Sequence, residues 1–176
     1  FAEEAGVDLY AMINAIRVRG THANLMFPGI GVGGYCLTKD PLLASWARET
    51  FFGSESGLDM STRSVSINDQ MPLFAFNRLV EIFGELNQKV VLFLGVSYRG
   101  DIGDTRFTPV EYLVNLIKDQ GARIILHDPF VSFWEEQGST IESNLDSTLK
   151  LNPDLVIIPA GHSIYKDQET LNKLLK

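Results

Sequence analysis

The chain has 176 residues, enough for one ordinary domain or two small ones, and 45% of them are hydrophobic, enough for a substantial core. A formal charge of −7 argues against nonspecific binding to nucleic acid or to an acidic membrane surface. No apolar run approaches the roughly 20 residues of a membrane-spanning helix, and one cysteine excludes an internal disulfide framework and fits a reducing, cytoplasmic compartment.

Residues 1–6 (FAEEAG) read as the tail of a helix closed by Gly6, so the chain is expected to be part of a longer protein. Asp8 suits the N-cap of a helix whose apolar residues Leu9, Met12, Ile13 and Ile16 recur at helical spacing. A loop over residues 19–34 follows, and residues 27–40 read FPGIGVGGYCLTKD. Gly29, Gly31 and Gly34 match the GxGxxG of a dinucleotide-binding turn. That turn must follow an apolar strand, and residues 19–24 (RGTHAN) are not one. The glycines are therefore expected to form a loop that lets backbone approach a ligand closely. Asp40 and Pro41 suit the N-cap and first turn of a further helix, with Leu42, Leu43, Trp46 and Ala47 as its apolar face. Residues 54–57 interrupt the pattern. A long helix is expected from about residue 61 to residue 86, with Val65, Met71, Leu73, Phe76, Leu79, Val80 and Phe83 on one stripe. Pro72 inside it predicts a kink.

The character changes near Asn87. Residues 89–94 (KVVLFL) are a short apolar run ending at Gly95, as expected of a strand buried in a parallel sheet. A loop over 96–108 leads to a helix over 109–119 closed by Gly121. Residues 123–127 (RIILH) form a second strand, ended by Asp128 and Pro129. Helices are expected near 131–137, near 143–150 and over 167–175, with a third strand at 154–159 (DLVIIP). Strands alternating with helices imply right-handed crossovers and a parallel sheet. The expected fold class is α/β: a helical domain over residues 1–86, then a doubly wound, Rossmann-like parallel-sheet domain over 87–176.

Ligands of open α/β sheets sit outside the carboxyl ends of the strands. The loop GVSYRGDIGDTRFTP after the first strand lies there, with Arg99 and Arg106 as cations. Thr108 can cap a helix whose N-terminus favours an anion. Alternatively, the two arginines only neutralise Asp101 and Asp104. His127, next to Asp128 and Pro129, is expected to shape a turn. His22 and His162 have no ligand spacing to Cys36, so no metal site is expected.

Two motifs in register resemble the UDP-glucose/GDP-mannose dehydrogenase family of nucleotide-sugar 6-dehydrogenases. Residues 31–40 follow its cysteine-loop pattern G-x-G-G-x-C-x-x-K-D, and residues 99–106 its K/R-x-D-x-x-D-x-R loop. NDQMP at 68–72 is similar to the central-domain helix, and the likeness spans residues 7–165. The resemblance implies a helical dimerisation domain carrying the catalytic-cysteine loop (1–86) and a UDP-binding domain (87–176), with the NAD-binding domain outside this chain. A homodimer through the central helix is implied too. So is a polypeptide that, by itself, binds nucleotide sugar without turning over NAD.

The implied reaction oxidises a UDP-sugar CH2OH to a carboxylate with two NAD+. By resemblance Cys36 is the nucleophile that captures the intermediate aldehyde, its thiolate favoured by nearby positive charge, and Asp40 assists the hydrolytic water. Lys39 and Arg106 match positions that contact NAD. Gly31, Gly33, Gly34, Tyr98 and Arg99 match substrate contacts. Val32, Tyr35 and the Asp40-Pro41 pair lean towards members acting on UDP-N-acetylhexosamines such as the mannosamine derivative; Lys39 leans the other way.

Overall fold

The computed structural model describes residues 2–175. A turn over residues 2–6 ends at Gly6, whose φ of 65° and N–H bond to Glu3 close it, with Val7 N–H reaching back to Ala2. Phe1 lies outside the described residues. Helix α1 (Leu9–Arg17) is capped by Asp8, whose Oδ1 accepts from the amides of Tyr10 and Ala11. A 3-10 turn (Gly20–His22) and an extended glycine-rich segment then lead to helix α2 (Tyr35–Phe52).

That start corrects the expectation of a helix opened by Asp40 and Pro41. Gly34, at a φ of 85° that favours glycine, is the N-cap, and α2 runs through Pro41. Pro41 has no N–H for the Leu37 carbonyl, but the helix absorbs this loss rather than beginning there. The apolar face expected from Leu42, Leu43 and Trp46 stays exposed within this chain. The buried residue of α2 is Ser45, whose Oγ accepts the Leu58 amide. Helix α3 (Asp59–Phe83) continues through Pro72.

Strand β1 (Val90–Leu94) has no polar side chain and is central. After helix α4 (Pro109–Asp119), strand β2 (Arg123–His127) pairs with β1 in parallel, Val90 opposite Arg123 and Leu94 opposite His127. Residues 131–137, expected to be helical, instead enter a hairpin of β3 (Phe133–Trp134) and β4 (Ser139–Thr140). Here a period of two wins: Phe133 faces out, Trp134 is buried, and Gly138 turns the chain at a φ of 56°. Helix α5 (Leu145–Leu149) precedes β5 (Leu155–Ile157), which pairs in parallel with the other edge of β1. Helix α6 (Gln168–Leu174) follows.

Because side chains alternate along β1, it feeds two cores. Val91 and Phe93 pack with Val110, Leu113, Val114 and Ile117 of α4, joined by Phe76, Leu79 and Val80 of α3. Leu92 and Leu94 pack on the opposite face with Ile125 and Tyr165, joined by Leu145, Leu149 and Leu174. The sheet is thus covered by helices on both faces, and α3 reaches across to the first of these cores. The order β2-β1-β5 places the reversal of winding beside β1. The crevice outside the ends of β1 and β5 is the position where such sheets bind ligands.

Fully buried His127 is uncharged in this fold. Its Nε2–H donates to the Ser143 carbonyl, Nδ1 accepts from the Tyr165 hydroxyl, and burial pushes its pKa below the ordinary imidazole value. A depressed pKa means that the unfolded chain takes the proton first. This stability is therefore complete above about pH 6.5 and falls as the pH drops below it. The melting temperature should fall less steeply between pH 7 and pH 5 in His127→Gln than in the parent, as followed by circular dichroism.

Candidate active site

Cys36 is the second residue of α2 and is exposed. What holds it is the extended segment before it. The Asn68 side chain binds both backbone groups of Val32: Oδ1 accepts the Val32 N–H at 2.6 Å and Nδ2 donates to its carbonyl at 2.8 Å. One amide thus plays the part of a neighbouring strand. Pro72 has no N–H to offer the Asn68 carbonyl. That oxygen instead lies 3.4 Å from the point where a Cβ on Gly31 would stand.

Gly33 and Gly34 are buried, and the space beside them is filled. A Cβ on Gly33 would lie 2.6 Å from Tyr98 Cβ and 2.7 Å from the Phe107 carbonyl, and one on Gly34 about 3.0 Å from the Tyr98 ring. The Gly34 N–H donates to the Arg106 carbonyl at 3.1 Å. The structure therefore brings the cysteine loop directly against the loop that follows β1. Gly31, Gly33, Gly34, Cys36, Tyr98 and Arg106 belong to one locality.

Tyr35 sits between two cations, with Lys39 Nζ 4.8 Å and Arg106 Cζ 5.9 Å from its ring centre and Phe107 at 5.8 Å. Cys36 stands in the first turn of α2, where the helix N-terminus adds positive potential. Lys39 binds Asp40 at 2.6 Å, a hydrogen bond that raises its pKa. Asp40 stands one helical turn beyond Cys36. Asp104 grips Arg106 through both carboxylate oxygens, and these bonds hold the carboxyl below the ordinary range. Of the alternative pairing, then, only the Asp104–Arg106 half forms. Arg99 is exposed, and Asp101 binds Ser163 instead.

Sequence reasoning missed three residues that shape this site: Asn68, Asp128 and His162. Asp128 and His162 are fully buried at the carboxyl end of the sheet. Asp128 Oδ2 accepts from the Val96 and Ser97 amides, the Ser97 hydroxyl and His162 Nε2. A signal for Asn68 was present, an amide four residues before a helical proline; for His162 the sequence carried none. Among the described residues no cluster of side chains could hold a metal ion. A cavity of about 480 Å³ lies behind the loop, lined by Val32, Thr38, Asn68, Pro72, Phe107 and Pro109 among others.

Residues 1–70 match the family model described as UDP-glucose/GDP-mannose dehydrogenase family, central domain, and residues 92–176 match that family's UDP binding domain. A UDP-N-acetyl-D-mannosamine dehydrogenase of Pyrococcus horikoshii is 33% identical over 184 residues, covering 99% of this chain and 40% of that protein. The enzyme of the same name from Methanococcus aeolicus is 30% identical, covering 89% and 34%. The crystal structure of an NDP-N-acetyl-D-galactosaminuronic acid dehydrogenase from Methanosarcina mazei superposes with a TM-score of 0.74 at 29% identity, over 96% of this chain and 37% of that one. The chain therefore spans two fifths or less of the length of these relatives.

Replacing Asn68 with alanine should leave both Val32 backbone groups without their partner, at a cost of about 1 kcal/mol. Amide exchange over residues 32–36 should accelerate while that of β1 stays slow; hydrogen exchange read by mass spectrometry checks this.

Proposed function

We propose, because the chain belongs to the UDP-glucose/GDP-mannose dehydrogenase family, that it is the substrate-binding and dimer-forming part of an NAD-dependent UDP-sugar 6-dehydrogenase. In this reading residues 1–86 are the dimerisation domain with its cysteine loop and residues 87–176 bind UDP. The observation that carries it is the contact between the two motif loops, Gly34 N–H on the Arg106 carbonyl with Tyr98 against Gly33 and Gly34. A nucleophile and a nucleotide-binding loop then share one substrate.

Bound NAD+ supplies the two-electron acceptor for each of the two oxidations, alcohol to aldehyde and thiohemiacetal to thioester. Lys39 and Arg106 suit its diphosphate, being two cations gathered at one aromatic ring. Cys36 does what the cofactor cannot. Its sulfur adds to the aldehyde carbon, a C–S bond forms, and the oxygen takes up a proton to give a thiohemiacetal. After the second oxidation that carbon is a thioester. Water attacks it with Asp40 assisting, the C–S bond breaks, and the carboxylate leaves with the thiol restored. Tyr98 and Arg99 hold the nucleotide sugar, with Gly31, Gly33 and Gly34 keeping the wall beside it thin.

The relatives' names and the Val32, Tyr35 and Asp40-Pro41 pattern favour a UDP-N-acetylhexosamine, the mannosamine derivative first. In the full-length protein, Cys36→Ser should abolish carboxylate formation from UDP-sugars, measured by product chromatography across a panel of them. Turnover at the parental rate would overturn the role given to Cys36.

Large apolar side chains of α2 and α3 also stand in solvent within this chain. Leu37, Trp46, Phe51, Phe52, Met60 and Ile67 are exposed, Phe52 by 81% and Met60 by 85%. Apolar exposure on this scale marks an interaction surface, and in this reading a second copy of the chain covers it. The 176-residue polypeptide should sediment as a dimer, Phe52→Glu should shift it towards monomer, and neither should produce NADH steadily from UDP-sugar and NAD+.

A further inference from the structure

The loop that carries Tyr98, Arg99 and Arg106 is tied down at one buried side chain. His162 lies just beyond β5 and is fully buried, between the rings of Phe130 and Tyr165 at 5.2 and 5.4 Å. Its Nδ1 is 2.9 Å from the backbone nitrogen of Asp101, which can only donate, so Nδ1 must carry the lone pair. The proton is therefore on Nε2, which donates to Asp128 Oδ2 at 3.1 Å. The same carboxylate oxygen accepts from the Val96 and Ser97 amides, just beyond β1. Asp128 and the imidazole together thus tie the segments that follow all three strands, and Nδ1 reaches the middle of the loop.

The loop is shaped to receive it. Asp101 has a φ of 60°, in the left-handed region that aspartate enters more readily than most residues, and its N–H faces the ring. Its carboxylate then accepts the Ser163 amide at 2.7 Å and the Ser163 hydroxyl at 2.6 Å, bonds that lower its pKa. Gly100 lies so near the Gly161 carbonyl that a Cβ would stand 2.5 Å from it. These contacts fix residues 100–101, which follow Tyr98 and Arg99, and the Asp128 carboxylate fixes Val96 and Ser97, which precede them.

We propose that His162 is a positioning residue for nucleotide binding: by accepting the Asp101 N–H it holds the Tyr98–Arg99 stretch in its ligand-receiving shape. This rests on the reading of residues 87–176 as a UDP-binding domain. It gives separate duties to the two ring nitrogens. Nε2 secures the sheet through Asp128, and Nδ1 secures the loop through Asp101.

The two duties separate by substitution. His162→Asn puts a carboxamide oxygen near the place of Nδ1 and gives up the Asp128 bond. His162→Gln puts an amide N–H near the place of Nε2 and gives up the Asp101 bond. Both should lower the melting temperature. Titration of the 176-residue chain with UDP in a calorimeter should show about tenfold weaker binding for His162→Gln, about 1.4 kcal/mol, and less than about threefold for His162→Asn. Amide exchange over residues 97–104 should follow the same order. Ser163→Ala, a surface change that spares the fold, should weaken UDP binding by about twofold to threefold. If the parent binds UDP and the two His162 variants match it, or weaken equally, the positioning role is overturned and the nucleotide reading stands. If the parent takes up no UDP, the nucleotide reading falls and the positioning role with it.

Discussion

At Gly33 the backbone of one motif lies against Tyr98 and the Phe107 carbonyl with no room for a side chain between them. Most of what distinguishes this molecule follows from that closeness. It lets Gly34 bond the Arg106 carbonyl, brings Phe107 onto Tyr35, and sets the start of α2 against the end of the loop after β1. Asn68 holds the segment from the other side, through both backbone groups of Val32. A chain whose first half is helical and whose second half is a sheet thereby has one shared surface to which both contribute side chains.

The parts of this fold legible in the sequence were those set by local periodicity. β1 has five apolar residues in a row, as a strand buried in a parallel sheet requires. Asp8 and Thr108 cap their helices as their chemistry suggests. The start of α2 was misread because Asp40 and Pro41 carry the ordinary signals of a helix beginning, whereas the real signal was Gly34, whose positive φ is visible only in three dimensions. The hairpin of β3 and β4 was misread as a helix because two residues of alternation are too few to assign a period. His162 was illegible for a different reason. Its partners Asp101 and Asp128 are 61 and 34 residues away in sequence, and no short-range pattern encodes such a meeting.

The charges near Cys36 are arranged in neutral pairs rather than left free. Lys39 has Asp40, and Arg106 has Asp104. Exposed pairs of this kind contribute little to stability. Their effect is on availability: each cation is held close to the Tyr35 ring with a counter-ion that an incoming anion could replace. Under the proposed function, this is how a chain of net charge −7 would offer a local site for a phosphate.

Cys36 takes its bearing from a helix rather than from a loop. Each residue of an α-helix advances the chain by about 100° around the axis and about 1.5 Å along it. The thiol's direction is therefore counted from Gly34, the residue that fixes where α2 begins. A single residue inserted between the two would turn the sulfur through more than a quarter circle while leaving the helix itself intact. The spacing of glycine and cysteine is thus an angle written as a number of residues.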